Sequence, residues 1–103
     1  MLETFTADTF RPYIGDTFRI HRDVSQPLDT SLIEVTELGR KPAGAANARF
    51  TRAPFSIVFR GPRDILLPQR IYRIEHNQIG TFDLFLVPIG SDSDGLRYEA
   101  VFN

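Results

Sequence analysis

The chain is expected to be all-β and mainly antiparallel: a small six-stranded barrel or sandwich with one short N-terminal helical turn. Three observations carry this. Apolar side chains recur at every second position in several short runs, the period of a half-buried strand. Gly, Pro, Asn and Asp punctuate those runs and leave mostly short connections, which suits antiparallel pairing. One run, Phe82 to Ile89, is apolar on both faces. A barrel is favoured over an open sheet because closure removes exposed edges.

The elements follow in chain order. Thr6-Ala7-Asp8-Thr9-Phe10-Arg11 reads as a helical turn, with Thr6 as its cap and Asp8 at its positive end. Gly15, after Pro12-Tyr13-Ile14, stops it. Asp16 to Arg22 alternates, with Phe18 and Ile20 inward and Thr17, Arg19 and His21 outward. A turn around Gln26-Pro27 leads to a second strand, Leu28 to Leu38. There Ile33 and Val35 fall out of phase with Leu32 and Leu38, and a one-residue bulge reconciles them. Residues 39–54 show no useful periodicity and form the longest loop; loops of that length in compact domains tend to be functional or mobile.

Phe55, Ile57 and Phe59 resume the alternation, and Gly61-Pro62 ends it. Ile65 to Gln69 is a partly buried connection. Tyr72, Ile74 and His76 line the inner face of the next strand, and Asn77-Gln78-Ile79-Gly80 supplies a hairpin turn with glycine ready for positive φ. In the two-faced strand Phe82, Leu84 and Leu86 point one way, and Phe85, Val87 and Ile89 the other. After a turn over Gly90–Gly95, the last strand runs Leu96 to Phe102 with Tyr98, Ala100 and Phe102 in phase.

At 103 residues and 42% apolar, residues 1–103 form one domain, long enough for a core without metal or disulfide staples. Cysteine is absent, which excludes disulfides, a thiol nucleophile and thiolate metal ligation. Met1-Leu2-Glu3-Thr4 lacks a cationic start followed by an apolar run, so the expectation is cytoplasmic synthesis without a secretory signal. The apolar runs are far too short for a membrane helix. Net charge is −1 but unevenly spread. Between Leu38 and Arg73, Arg40, Lys41, Arg49, Arg52, Arg60, Arg63, Arg70 and Arg73 face one acid, Asp64; acids predominate on either side.

Several strings are familiar as strings. Phe55-Ser56-Ile57-Val58-Phe59-Arg60-Gly61-Pro62, Leu67-Pro68-Gln69, Tyr72-Arg73-Ile74-Glu75-His76, Leu84-Phe85-Leu86-Val87-Pro88-Ile89-Gly90 and Tyr98-Glu99-Ala100-Val101-Phe102-Asn103 resemble an uncharacterised bacterial domain family of unknown function. Leu2-Glu3-Thr4, Gly15-Asp16-Thr17-Phe18 and Glu34-Val35-Thr36-Glu37-Leu38-Gly39 resemble it too, so only the turn at 23–27 and the 40–54 loop fall outside. The resemblance implies proximity to phage tail-collar or tail-fibre-like proteins and supplies no catalytic residue.

The residues themselves offer no catalytic, cofactor or metal constellation. His76 has Glu75 beside it, but strand neighbours point to opposite faces, so the expected role is a hydrogen-bonded histidine closing the core. His21 is expected at the surface. Asp92-Ser93-Asp94-Gly95 lacks the later ligands of a calcium loop and suits a tight turn. Gly61-Pro62 lacks the spacing of a phosphate loop, and Ser56 lies within a strand. A single-strand nucleic-acid barrel could draw on Arg49, Phe50, Arg52, Arg60, Arg63, Arg70 and Arg73, yet the net charge is negative and most aromatics fall in core phase.

The expected function is therefore non-enzymatic: a subunit or accessory protein of a phage-tail-like or filamentous bacterial assembly, destined for a virion-like or extracellular particle. Its partners are expected to be protein subunits, of itself or of others. The candidate interface is Phe85, Val87 and Ile89 with Arg49, Phe50 and Arg52. Segregated charge would let a basic surface meet an acidic one on the next copy, and a strand edge at the C-terminal segment could pair with a neighbour. No cofactor is expected.

Overall fold

The computed structural model describes residues 4–23, 26–39 and 53–103. A turn of α-helix, α1 (Ala7–Phe10), runs into a 3-10 turn over Arg11–Tyr13. Six strands follow: β1 (Thr17–His21), β2 (Leu28–Glu37), β3 (Phe55–Gly61), β4 (Arg70–His76), β5 (Gly80–Asp92) and β6 (Gly95–Phe102). They close into a barrel in the order β1-β2-β3-β6-β5-β4, every pair antiparallel. The closing ladder is β1 with β4, from Arg19↔Glu75 to His21↔Arg73, which decides barrel over sandwich.

The expected C-terminal strand edge is closed on its β3 side. β6 pairs with β3 from Gly61↔Leu96 to Phe55↔Phe102, and its first half also pairs with β5. Closure takes up its backbone groups on the β3 side, so pairing with a neighbour's backbone there loses its basis.

Phe10 stoppers one end of the barrel. It is 0% exposed, and its ring centroid lies 5.4–6.4 Å from those of Phe5, Phe18, Phe55, Phe82 and Phe102. A four-residue helix cannot stand alone in water; packing of Phe10 and Phe5 into the barrel mouth holds it. Thr6 occupies the N-cap position with extended backbone, but the hydroxyl that serves it is that of Thr9, which accepts from the Thr6 N–H at 2.9 Å. Gly15 ends the segment at φ 97°, a region that favours glycine.

The opposite end is tied by tyrosines. Tyr98, fully buried, accepts from the Leu67 N–H at 3.0 Å and donates to the Ile65 carbonyl at 3.2 Å. The Tyr72 hydroxyl donates to the Pro68 carbonyl at 2.5 Å. The 62–69 connection is thereby strapped over the core with Leu67 inside and Leu66 outside.

β2 carries the expected bulge, a register shift between Leu32 and Glu34. A second shift between Pro88 and Gly90 was not expected. Gly90 at φ 131° is part of this irregularity, so the strand continues to Asp92 and the turn shrinks to Ser93-Asp94. β3 also departs from simple alternation: Ser56 and Val58 are buried as well as Phe55, Ile57 and Phe59.

Candidate functional site

Phe82, Leu84 and Leu86 enter the core, and Phe85 and Ile89 stand outside, 50% and 40% exposed, with Val87 half-buried between them. The inward set packs with Phe5, Phe10 and Leu67 in one cluster that excludes the outward set. Neither the helical turn nor the 65–68 connection reaches round to the outer face. Arg49, Phe50 and Arg52, the rest of the expected interface, lie outside the described residues.

Register adds a residue that the sequence alone does not group. Ile71 of β4 pairs directly with Phe85. On the other flank the β5–β6 ladder ends at Val87↔Glu99, and Val101 lies two residues beyond it on β6. Ile71 is 66% exposed and Val101 51% exposed. Ile71 and Phe85 thus form an exposed apolar pair across β4 and β5. Each looks like an ordinary exposed residue in its own strand; only the cross-strand alignment brings them together. Beside the pair, Arg73 and Asp83 meet at 3.5 Å.

Among the described residues, folding interleaves the segregated charges. Arg60 donates to Asp92 through Nε at 3.1 Å and Nη2 at 2.6 Å. Arg70 meets Asp23 at 3.1 Å, Arg73 meets Asp83, and Arg63 reaches the Ser93 carbonyl at 3.4 Å. Arg60, Arg70 and Arg73 of the basic middle segment are thus paired with acids from either side of it; Arg40, Lys41, Arg49 and Arg52 lie outside the described residues. Among the described residues there is no basic groove for a nucleic acid strand, and no purely basic face.

Asp92 also accepts the N–H groups of Asp94 at 2.8 Å and Gly95 at 3.0 Å, so it organises the β5–β6 turn. The Arg60 guanidinium, then these backbone donors, hold its carboxyl below the usual carboxylate range. Reciprocally, Asp92 raises Arg60 above its ordinary value. Burial pushes the Tyr72 phenol up, against the opposing charge of Arg70.

His76 is almost fully buried. Its Nδ1 accepts from the N–H groups of Gln78 and Ile79, at 3.1 and 3.2 Å, which leaves the proton on Nε2 to donate to Asp16 at 2.9 Å. Phe18 stacks on the ring at 4.4 Å and Tyr13 lies 4.6 Å away. These contacts tie the β4–β5 hairpin to the start of β1. His21 does what adjacency denied to His76: its Nε2 bonds Glu75 at 3.0 Å across the β1–β4 ladder. Among the described residues no three His, Cys, Asp or Glu side chains are grouped as metal ligands would be, and no helix is long and apolar enough to cross a membrane.

A trough of about 710 Å³ opens between β4 and the end of β1, with Arg22, Asp23, Arg70, Ile71 and Tyr72 in its walls. A second hollow of about 290 Å³ shares Arg22, Asp23, Arg70 and Tyr72 and extends the trough to Leu66. It is wide open and polar, unlike the enclosed apolar pocket of a small-molecule site.

The family model described as Domain of unknown function (DUF6916) matches residues 5–102. No curated protein and no solved structure matches the chain.

Proposed function

The chain belongs to the DUF6916 family, a domain of unknown function, and from its own surface we propose that it is a non-enzymatic module that docks other protein subunits through the outer face of β4, β5 and β6. The row of exposed Ile71 and Phe85, paired across β4 and β5, carries the reading. Contiguous exposed apolar side chains on a sheet face are characteristic of interaction surfaces. The half of the Phe85 side chain left in water is on the order of 100 Å², worth about 2.5 kcal/mol if buried. Association itself costs at least about 4 kcal/mol, so the row anchors a contact that needs further complementary surface around it.

The natural setting for such a module is the assembly that the resemblance implies, a phage-tail-like or filamentous bacterial structure in which this chain is a subunit or accessory protein. Ion pairing of Arg60, Arg70 and Arg73 speaks against the alternative of single-strand nucleic-acid binding at those residues; Arg49, Phe50 and Arg52 lie outside the described residues. Sedimentation velocity over a concentration series, alone and with the products of neighbouring genes, tests the proposal. Association weakened by Phe85→Asp is the expected result; a strict monomer in every mixture overturns it.

A further inference from the structure

We propose that the β4–β5 turn is released by acid: a second proton on His76 frees residues 77–79 from the end of the barrel, while the seam that closes the barrel holds. This release is independent of the docking face.

His76 is 3% exposed, and both of its ring nitrogens are engaged. Nε2 faces Asp16 at 2.9 Å, and Nδ1 receives two backbone N–H groups, from Gln78 at 3.1 Å and Ile79 at 3.2 Å. A backbone N–H only donates, so the closed turn requires a bare Nδ1. A second proton has nowhere to go but Nδ1, where it points at two other donors. The imidazolium and the closed turn therefore exclude each other. Gln78 is exposed, and its N–H is free to turn to water. Ile79 is half-buried against the core and leaves that packing when its N–H follows.

The groups around the ring decide which contact gives way. Asp16, ahead of β1, favours the charged ring and keeps Nε2. The 3-10 turn brings the Tyr13 ring to 4.6 Å, β1 brings the Phe18 ring to 4.4 Å, and β5 sets uncharged Gly80 opposite His76. Glu75 points to the other face, 3.0 Å from His21 and 3.8 Å from Arg19, and Arg19 reaches Asn77 at 3.4 Å. Asp16 is thus the carboxylate in contact with the ring, and the turn is what acid breaks. His21, the other histidine of the chain, responds in the opposite sense. Its bond to Glu75 spans the β1–β4 ladder, and protonation converts that bond into an ion pair. Acid tightens the seam as it loosens the turn.

NMR of the full chain tests this by titration from about pH 8 to about pH 5, the range in which imidazole ordinarily changes charge. The His76 ring signals and the Gln78 and Ile79 amide signals are expected to move with one shared midpoint. Hydrogen-exchange protection at 78 and 79, corrected for the intrinsic effect of pH, is expected to fall roughly tenfold or more. Residues 19–21 and 73–75 keep theirs within about threefold. Asp16→Asn retains an acceptor for Nε2 without the charge and is expected to move the release to lower pH. His21→Gln leaves the release in place, and thermal melts show that each variant is folded. Five results would each overturn the proposal: a His76 ring that charges while the two amides stay put, a ring that stays neutral in the folded chain to about pH 5, strands that lose protection together with the turn, an unmoved release in Asp16→Asn, or a release abolished by His21→Gln.

Discussion

Phe10→Ala removes the stopper of the barrel, and its cost follows from the packing. The ring is 0% exposed and touches five other phenylalanine rings, which come from β1, β3, β5, β6 and the segment before α1. Truncating a buried phenylalanine costs about 3–5 kcal/mol, from lost transfer energy and from the cavity left behind. The lower bound applies if Phe5 and the helical turn collapse into the gap, and the upper bound if the closed strands hold it open. A domain of this size has about 5–15 kcal/mol in all, so the variant loses a large share and melts roughly 12–40 °C lower. The assay is urea unfolding followed by circular dichroism, with Phe85→Ala alongside. Phe85 is half exposed and outside the core cluster, so its truncation is expected to cost less than about 1.5 kcal/mol. A Phe10→Ala loss below about 1.5 kcal/mol with an unchanged m-value, or a Phe85→Ala loss as large as that of Phe10→Ala, would refute the assignment of inside and outside.

Three further outcomes are expected. Gly95→Ala places a Cβ 2.1 Å from the Gly61 carbonyl oxygen, so β3 and β6 must part at that end; a loss of at least about 1–3 kcal/mol is expected in thermal melts, and a neutral result would show that the pair is looser than described. His76→Leu removes the hydrogen bonds to the Asp16 carboxylate and from the Gln78 and Ile79 N–H groups, at a cost of about 0.5–1.5 kcal/mol for each, with faster amide exchange at residues 77–79 as the local readout. Asp92→Asn tests the depressed carboxyl: a folded value below the unfolded one stabilises the fold above the unfolded pKa and loses that contribution as pH falls through the folded pKa. The stability gap between the unaltered protein and the variant should be constant near neutrality, shrink once pH drops below about 4, and vanish in stronger acid; a gap that widens on acidification contradicts the Arg60–Asp92 assignment.

Much of the fold is legible because period-two alternation is a local property. Phe18 and Ile20, Phe55 to Phe59, Tyr72 to His76 and Tyr98 to Phe102 all point where alternation says, and the phase break at Leu32-Ile33 reveals the bulge in β2. Misreadings arise where local cues are ambiguous. Gly90 resembles a turn residue but belongs to a bulge. Burial of Ser56 and Val58 cannot be inferred from a pattern that reads alternate positions as exposed.

The same division holds for the candidate site. Phe85, Val87 and Ile89 are conspicuous because they share a strand with Phe82, Leu84 and Leu86. Ile71 joins Phe85 only through register, which no single strand encodes. Ion pairs such as Arg60–Asp92 and Arg70–Asp23 depend on register and loop placement too, so counting charge along the chain does not foresee how the described residues interleave it.

Fluorine NMR of the chain labelled with 4-fluorophenylalanine reads the docking face most directly. The sequence contains nine phenylalanines, and a Phe85→Leu sample assigns the one at issue. As concentration rises, or as products of neighbouring genes are added, the Phe85 resonance is expected to shift and broaden while those of buried Phe10, Phe18 and Phe59 stay in place. A Phe85 signal that stays fixed from micromolar to millimolar protein and in every mixture would contradict the account.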